Sequence, residues 1–366
     1  MESPPLFGTV VIAGVGLIGG SIALGTRRRH LARRVIGFDR DPGVLDAARG
    51  LGAIDEAQLT PGPWLREADL VILAAPARSL VAMGVALLPH LGERAIVTDV
   101  GSVKGPVVEG MRLARFVGGH PMAGSERGGI LNADAALIEN AVWVLTPEPG
   151  VTDPAALAAV REYVTALGAR PIEVSPTLHD RLVATVSHLP YLASVALTAL
   201  VAEGEERSLK MLLAAGGFRD LTRVASGDPL MSRDMVAGNR AAVRDALRAF
   251  RAQLDHLEGL LDDPDGLLTA GETAKLTRDG IPIVRRSLLP ARHEVVLAVP
   301  DRPGELARIT HALGEAGVNV KDIEVLGIRE TGGAIRLAFE TSDELVRGGE
   351  ALRVAGYEVH SRNGAG

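Results

Sequence analysis

The fold of this chain is decided by the stretch Val10-Val11-Ile12-Ala13-Gly14-Val15-Gly16-Leu17-Ile18-Gly19-Gly20-Ser21. An apolar run rich in valine and isoleucine breaks into glycines and resumes as an apolar helical segment. A G-x-G-x-x-G pattern therefore lies between a predicted strand and a predicted helix. In that context Gly14 makes a tight turn, Gly16 lets the backbone approach a pyrophosphate, and Gly19 lets the helix pack closely on the strand. The stretch predicts a dinucleotide-binding domain; the alternative is a glycine-rich turn in another α/β protein.

The residues that follow indicate which dinucleotide is bound. A second apolar run, Val35–Phe38, ends in Asp39, which lies twenty residues after Gly19. A carboxylate at this position accepts hydrogen bonds from the adenosine ribose hydroxyls of NAD and repels the extra phosphate of NADP. The neighbouring Arg40 leaves use of both cofactors open. The complete set of predicted cofactor contacts is Gly14, Gly16, Leu17, Ile18, Gly19, Asp39, Arg40, Ala75 and Pro76.

The composition is that of a globular protein and excludes several classes of function. The chain has 366 residues, of which 47% are hydrophobic and 23% charged, so it is long enough for two or three domains. A net charge of −6 gives no basic surface for nucleic acid, and the absence of cysteine excludes disulfides and thiolate metal sites. The first five residues lack a basic region, and no apolar run approaches the ~18 residues that span a bilayer. We therefore expect a cytoplasmic protein without a membrane segment.

Three regions of the chain differ in their pattern. Residues 1–174 alternate apolar runs with helical segments, which predicts a Rossmann-type α/β domain with a parallel sheet. Residues 175–287 show helical periodicity without strands and predict an all-helical domain for substrate binding and dimerisation. Residues 288–366 follow the order β-α-β-β-α-β, which is ferredoxin-like.

The helical region is expected to contain three long helices. They cover residues 178–203, 209–225 and 232–261. The sequence Asp262-Asp263-Pro264-Asp265-Gly266 is interpreted as a break, followed by a charged link that ends near Arg286. Because such a slender domain leaves apolar surface uncovered, we expect a partner subunit to cover it.

His120 is the main candidate for proton transfer. It follows a predicted strand on the cofactor side of the sheet, within a loop rich in glycine and proline. A neutral histidine near its normal pKa can accept a proton from a substrate hydroxyl while hydride leaves the same carbon. Ser102, just past the preceding strand, can bond the same hydroxyl or orient the imidazole. The alternatives are a strand-end histidine satisfied by backbone and a simple turn serine.

Other polar residues are candidates for holding the substrate. Lys104 can neutralise a carboxylate or cap its loop, and Glu126 can gate the site through a salt bridge. His179 and His188 lie nine residues apart on one predicted helix, so we expect them on different faces and no shared metal ion. Arginines can clamp the carboxylates of a dianionic substrate. The predicted substrate contacts are Ser125, Glu126, His188, Arg219, Arg233 and Arg240.

Several stretches together resemble the prephenate/arogenate dehydrogenase family. The matching motifs are Gly14–Ser21, Asp99–Lys104, Gly118–Glu126, Ser187–Pro190 and Gly216–Ala225, followed by Asp228-Pro229 and Arg233-Asp234. The tail, with Asp301-Arg302-Pro303-Gly304 and Gly317-Val318-Asn319-Val320, resembles an ACT domain, a small amino-acid-sensing module.

The resemblance implies oxidative decarboxylation of prephenate to 4-hydroxyphenylpyruvate with NAD⁺, on the route to tyrosine. His120 would accept the hydrogen bond of the ring hydroxyl, Ser102 would assist, and hydride would pass to the nicotinamide. Arogenate stays open as the substrate, because the pocket that reads the side-chain ketone or ammonium cannot be located from sequence. The ACT-like tail would bind tyrosine or a related amino acid through Pro303, Gly304 and Asn319 and inhibit a homodimeric enzyme; otherwise it serves dimerisation alone.

Two other classes of protein share parts of this pattern. A β-hydroxyacid dehydrogenase or imine reductase also joins a dinucleotide domain to helices, but it lacks the His-Pro-Met-Ala-Gly loop and relies on a lysine of the helical domain. A non-catalytic sensor of NAD or an amino acid would bind without turnover, which suits the tail. His120 and Ser102 at the same crevice favour an enzyme.

Overall fold

The computed structural model describes residues 4–124, 127–281, 293–300, 302–329 and 332–363. These residues separate into two compact units, one before and one after the segment 282–292. The first unit contains the nucleotide-binding and helical regions, and the second contains the C-terminal region.

The nucleotide-binding region is built on one eight-stranded sheet, with the order β3-β2-β1-β4-β5-β6-β7-β8. Its strands are β1 (Phe7–Ala13), β2 (Ala32–Phe38), β3 (Glu56–Gln58), β4 (Leu70–Leu73), β5 (Ile96–Asp99), β6 (Phe116–Pro121), β7 (Val142–Thr146) and β8 (Arg170–Glu173). The helices of this region are α1 (Leu17–Arg28), α2 (Pro42–Gly50), α3 (Ala77–Leu87), α4 (Gly105–Gly110) and α5 (Pro154–Ala166). The predicted Rossmann-type domain is confirmed, and its strand order reverses between β1 and β4, where such sheets bind ligands.

The sheet has a hydrophobic core on each face. Residues Val10–Ala13 of β1 and Leu70–Leu73 of β4 are completely buried. Alternate residues of each strand point into one or the other core, which explains why these strands are continuously apolar rather than alternating. The rigid centre of the sheet fixes the strand ends that carry the candidate site.

The expectation of a parallel sheet is wrong for β7, which runs antiparallel to β6 and places Val144 opposite His120. β8 then runs parallel to β7. Parallel neighbours need a long crossover, usually a helix. Among the described residues between β6 and β7, the only helical element is the short 3₁₀ turn Ile130–Asn132.

The helical region consists of α6 (Pro176–Val183), α7 (Leu189–Ala202), α8 (Arg207–Leu213), α9 (Gly216–Thr222), α10 (Pro229–Gly238), α11 (Arg240–Gly259) and α12 (Pro264–Asp279). The π-helical turn Ala184–His188 joins α6 to α7, so the first predicted helix is continuous. The second predicted helix is divided between α8 and α9. The third is divided at Asn239 and begins earlier, at Pro229, because the side chain of Asp228 caps it.

The expected charged link after Asp262 is wrong, because α12 occupies this segment. The Asp263 side chain accepts the N–H of Gly266, and Pro264 occupies the first turn. An Asp-Pro pair suits a chain break and a helix start equally well, since proline lacks the N–H that a first turn leaves unused.

One helix contradicts the expectation that no stretch is apolar enough to cross a bilayer. By length and composition alone, the continuous helix Pro176–Ala202 passes that test. Its first half nevertheless carries the buried polar residues His179, Asp180 and His188, which contact other parts of this unit. Its second half exposes Val195, Leu197 and Leu200. Exposed apolar surface on a helix with such polar contacts favours a subunit interface.

The C-terminal unit has the predicted order β-α-β-β-α-β. Its elements are β9 (His293–Val299), α13 (Glu305–Glu315), β10 (Asp322–Arg329), β11 (Gly332–Phe339), α14 (Ser342–Val354) and β12 (Glu358–Asn363). The sheet is antiparallel throughout, with the order β10-β11-β9-β12, and a core of Leu297, Ile309 and Leu337 lies beneath its helices. Gly304 caps α13 with a φ of 89°, and Pro303 and Asn319 are exposed.

Candidate active site

The turn between β1 and α1 leaves room for a phosphate group. Gly14 has a φ of 97°, and a Cβ there would lie 2.6 Å from the carbonyl oxygen of Ala74. A Cβ at Gly19 would overlap the carbonyl oxygen of Gly14, so only glycine permits this approach of helix and strand. Gly16 caps α1 without a side chain, and the space where its Cβ would stand is open. The first turn of α1 therefore presents its N–H groups to an anion.

Asp39 is fixed beside this turn by backbone hydrogen bonds. Its carboxylate accepts the N–H of Val15 at 2.9 Å and the N–H of Asp41 at 3.1 Å. Arg40 next to it is exposed, and Ala75 and Pro76 lie just past the end of β4, after Ala74. Leu17 and Ile18 are half-buried in the first turn of α1. The predicted contacts thus surround the carboxyl ends of β1, β2 and β4, in an arrangement that fits NAD.

A buried ion pair holds the loop after β5 against β6. Lys104 is fully buried; its Nζ atom pairs with the carboxylate of Asp99 and donates to the carbonyl oxygen of Gly119 at 2.7 Å. Asp99 also accepts the N–H groups of Gly101 and Gly119, at 2.8 and 3.0 Å. Burial lowers the pKa of Lys104 despite the attraction of Asp99. In this arrangement Lys104 secures its own loop and the strand that carries His120.

His120 is linked to a carboxylate through a second histidine. Its Nδ1 atom lies 2.9 Å from Nε2 of His179, and Nδ1 of His179 lies 2.8 Å from Oδ1 of Asp180. The Asp180 carboxylate also accepts the N–H groups of Lys104 and Gly105, both at 2.7 Å. A chain of hydrogen bonds therefore leads from β6 through α6 to the start of α4.

Burial, with the charges nearby, keeps His120 neutral. Burial lowers the pKa of His120 well below 6.5, and nearby Lys104, His179 and His188 lower it further. Burial opposes ionisation of Asp180, but the hydrogen bonds from His179, Lys104 and Gly105 outweigh it and lower its pKa. Near neutral pH the site thus contains the neutral imidazole of His120, which can accept a proton, and the carboxylate of Asp180, which is linked to it through His179.

His188 is completely buried beside this chain and is oriented by Asn239. The Asn239 Nδ2 atom donates to the carbonyl oxygen of Asp180 at 2.6 Å and lies 3.3 Å from Nδ1 of His188. Burial lowers the pKa of His188 to about 4, with His179 acting in the same direction and Asp180 opposing it. Because the amide donates to Nδ1, the ring hydrogen of neutral His188 is on Nε2. Among the described residues, this Nε2 atom has no hydrogen-bond partner.

The expectation that His179 and His188 lie on different faces of their helix is wrong. Nine residues are two and a half turns of a regular α-helix, which would place them on opposite sides. The π turn that ends at His188 contains an extra residue, and this rotates the later ring by about 100° toward the earlier one. Within the described residues, no group of three or more histidine and acidic side chains could hold a metal ion.

The remaining predicted contacts are distributed over several places. Ser102 is half-buried in the loop after β5. Arg233 and Arg240 line one cavity of about 370 Å³ together with Tyr191, and Arg233 also pairs with Asp234 at 2.6 Å. Arg219 is exposed on α9, outside the lining of that cavity. Ser125 and Glu126 lie outside the described residues.

Sequence reasoning missed the contributions of His179, Asp180 and Asn239. The adjacent pair His179-Asp180 is a signal of buried hydrogen bonding, since the continuous helix Pro176–Ala202 that contains it is apolar in its overall composition. Asn239 left no comparable signal in the sequence, because it lies within a segment whose periodicity predicted an uninterrupted helix. The sequence leaves two roles open for Lys104, and in the structure its ammonium group pairs with Asp99 and supports the loop.

Family models match the chain along most of its length. The nucleotide-binding domain of prephenate dehydrogenase matches residues 22–173, the dimerization domain of prephenate dehydrogenase matches residues 175–268, and the ACT domain matches residues 293–350. The prephenate dehydrogenase of Bacillus subtilis is 34% identical over 363 residues, covering 96% of this chain and 97% of that protein.

Solved structures share the fold over about three quarters of this chain. The crystal structure of Aquifex aeolicus prephenate dehydrogenase in complex with hydroxyphenyl propionate and NAD⁺ has a TM-score of 0.72 at 34% identity, covering 75% of this chain and 98% of that one. Synechocystis arogenate dehydrogenase has a TM-score of 0.67 at 34% identity, covering 74% and 99%. The chain therefore belongs to the prephenate dehydrogenase family, as an NAD-dependent oxidoreductase with nucleotide-binding, dimerization and C-terminal ACT domains.

Proposed function

We propose that this chain converts prephenate to 4-hydroxyphenylpyruvate and carbon dioxide while it reduces NAD⁺. The observation that carries the proposal is the neutral His120 at the carboxyl end of β6. Its Nδ1 atom is hydrogen-bonded to His179, and its pKa is lowered well below 6.5. Family membership supports the reaction type, since related proteins are prephenate dehydrogenases.

His120 and Ser102 act on the ring hydroxyl in this proposal. Bound NAD⁺ supplies the hydride acceptor. Since Nδ1 of His120 is occupied by His179, its Nε2 is the nitrogen that accepts the hydrogen bond of the hydroxyl. Ser102 holds the same oxygen. As the C–H bond at the hydroxyl-bearing carbon breaks, the bond to the ring carboxylate also breaks, and its electron pair completes the aromatic ring. His120 returns any proton it took to the phenolic oxygen, so the protons balance.

The helical region holds the carboxylates of the substrate. His188 offers an Nε2–H donor whose direction is set by Asn239. Arg233 and Arg240 offer guanidinium groups beside one cavity, and Arg219 offers a third on α9. Ser125 and Glu126 complete the set of proposed substrate contacts. Holding a dianion in one orientation supplies much of the rate enhancement that an enzyme of this type needs.

Substrate preference is tested by following NADH formation with prephenate and arogenate in parallel. We propose prephenate as the better substrate, with the aromatic keto acid 4-hydroxyphenylpyruvate as the product. NADH formation with prephenate at a kcat/KM at least ten times that with arogenate would support the proposal. A preference for arogenate would identify this chain as an arogenate dehydrogenase instead. Binding of NAD⁺ without turnover of either substrate would favour a non-catalytic sensor.

We further propose a cytoplasmic homodimer. The matched dimerization domain and the apolar side chains exposed on α7 and α8 support association through the helical region. The outcome is read by sedimentation of the purified protein at two concentrations; a monomer at micromolar concentration would contradict it.

The C-terminal unit is proposed to bind tyrosine or a related amino acid. The exposed turn Pro303-Gly304 and the exposed Asn319 support this, since they border the start of α13 and the loop before β10. Removal of residues 290–366 is expected to abolish inhibition by tyrosine and to preserve turnover, because the ACT domain matches residues 293–350 and the nucleotide-binding and dimerization domains match residues before it. Unchanged inhibition in the shortened enzyme would locate the effector elsewhere.

A further inference from the structure

We propose that His179 is a positioning residue that, together with Asp180, fixes the tautomer and the orientation of His120. The inference rests on the proposed role of His120 as the acceptor of the substrate hydroxyl. It assigns a function to the buried residues His179 and Asp180, which have no direct role at the reacting atoms in the proposed function.

The tautomer of His120 follows from the positions of the hydrogens along the chain of hydrogen bonds. The Asp180 carboxylate can only accept, so the 2.8 Å contact places a hydrogen on Nδ1 of His179. In a neutral His179 the Nε2 atom then carries a lone pair. The 2.9 Å contact between this atom and Nδ1 of His120 requires that His120 donate. His120 is left with its lone pair on Nε2, which is the form that accepts a proton from a hydroxyl.

The position of Asp180 is itself secured from three directions. Its carboxylate accepts the N–H groups of Lys104 and Gly105, and its carbonyl oxygen accepts the amide of Asn239. The carboxylate therefore cannot rotate away from His179 without losing hydrogen bonds in a buried place. The rigid base of the chain lies on α6, and its reactive end lies on β6.

The same chain stabilises the imidazolium that forms when His120 accepts a proton. Lys104, His179 and His188 lie near His120 and oppose this charge. The only carboxylate joined to His120 through hydrogen bonds is Asp180, via His179, within the part of the chain that the structure describes. A carboxylate that orients a histidine and stabilises its cation follows the logic of catalytic triads; here a second imidazole separates the two groups.

Two substitutions of His179 separate positioning from packing. His179→Asn keeps a polar group near Asp180 but cannot reach His120, whereas His179→Gln can present its amide oxygen where Nε2 was. We expect kcat to fall about 100-fold in the asparagine variant, and by about tenfold or less in the glutamine variant, at unchanged affinity for NAD⁺. Arg181→Ala, an exposed neighbour on the same helix, is the control for the helix itself. Equal losses in both His179 variants, or a smaller loss in His179→Asn, would overturn the proposal.

The tautomer of His120 is measured directly by ¹⁵N NMR of the full-length protein labelled at histidine, with NAD⁺ bound and no substrate. The ring signals of His120 are identified by their loss in His120→Asn. We expect the Nδ1–H tautomer in the wild type and in His179→Gln, and loss of that single form in His179→Asn. An Nε2–H tautomer in the wild type would overturn the proposal. Because no turnover is involved, this result stands whether or not prephenate proves to be the substrate.

Discussion

Replacing Lys104 by methionine is expected to destabilise the nucleotide-binding region strongly. The substitution keeps the length of the buried side chain but removes its charge and its three N–H donors. Asp99 then remains as a buried carboxylate without a cation, and the carbonyl oxygen of Gly119 loses its donor. The cost arises from these groups left behind rather than from lost attraction alone.

The magnitude follows from what Asp99 retains. Breaking a buried ion pair by removing one partner typically costs about 3–5 kcal/mol. The N–H groups of Gly101 and Gly119 still satisfy Asp99, so the lower end of that range applies. A loss of about 3 kcal/mol shifts the unfolding midpoint of a domain of this size by about 6–12 °C.

The assay is thermal unfolding followed by circular dichroism, with Lys275→Met as the matched control. Lys275 pairs with Asp279 one turn away on α12, and both side chains are exposed. Such a pair contributes about 0.5 kcal/mol or less, so the control is expected to shift by at most about 2 °C. Adding Asp99→Asn to Lys104→Met should recover part of the loss, because it removes the orphaned charge. A shift for Lys104→Met no larger than that of Lys275→Met would refute the reasoning.

Three further predictions concern the site. First, the wild type should lose thermal stability as the pH falls from about 6.5 to about 4. Over this interval His188 takes up a proton in the unfolded chain but stays neutral in the folded protein, where its pKa is about 4. The His188→Asn variant should lose less stability over the same interval. Second, Asn239→Leu removes the donor that orients His188, so KM for the substrate should rise about tenfold at unchanged affinity for NAD⁺. Third, Asp39→Asn keeps an acceptor for the N–H of Val15 but removes the negative charge, so the ratio of kcat/KM for NADP⁺ to that for NAD⁺ should rise at least about tenfold.

Each of these has a contrary outcome. Equal acid sensitivity of the wild type and His188→Asn would mean that other groups dominate the pH dependence. An Asn239→Leu variant that loses kcat but keeps KM would mean that Asn239 acts on His120 through Asp180 instead. An unchanged cofactor ratio in Asp39→Asn would assign the selection of NAD to Arg40 or to the shape of the rim.

Local sequence patterns predicted the cofactor cradle correctly because its requirements are local. Gly14 and Gly19 are dictated by a positive φ and a close backbone approach within one turn, and Asp39 ends the next strand along the chain. The ferredoxin-like order of the tail was predictable for the same reason, since each strand and helix has its own period.

The parts that sequence could not predict depend on small irregularities or distant partners. A single π turn changes the face on which His188 lies relative to a regular α-helix, and no residue type in the sequence predicts such a turn. The direction of β7 goes with a connection whose described residues contain no crossover helix, and the composition of the strand does not reveal this direction. The hydrogen bonds that join Asp180 to Lys104, Gly105 and Asn239 span 59 to 76 positions, so the pairing is visible only in the folded chain.

The central claim is that His120 accepts the hydrogen bond of the substrate hydroxyl during hydride transfer. It is tested most directly by the first turnover of enzyme mixed with saturating NAD⁺ and prephenate. Stopped flow follows NADH absorbance in the wild type and in His120→Asn. We predict that the rate of NADH formation in the variant falls about 10³-fold while its affinity for NAD⁺ stays the same. A rate within tenfold of the wild type would contradict the account and assign proton transfer to another group.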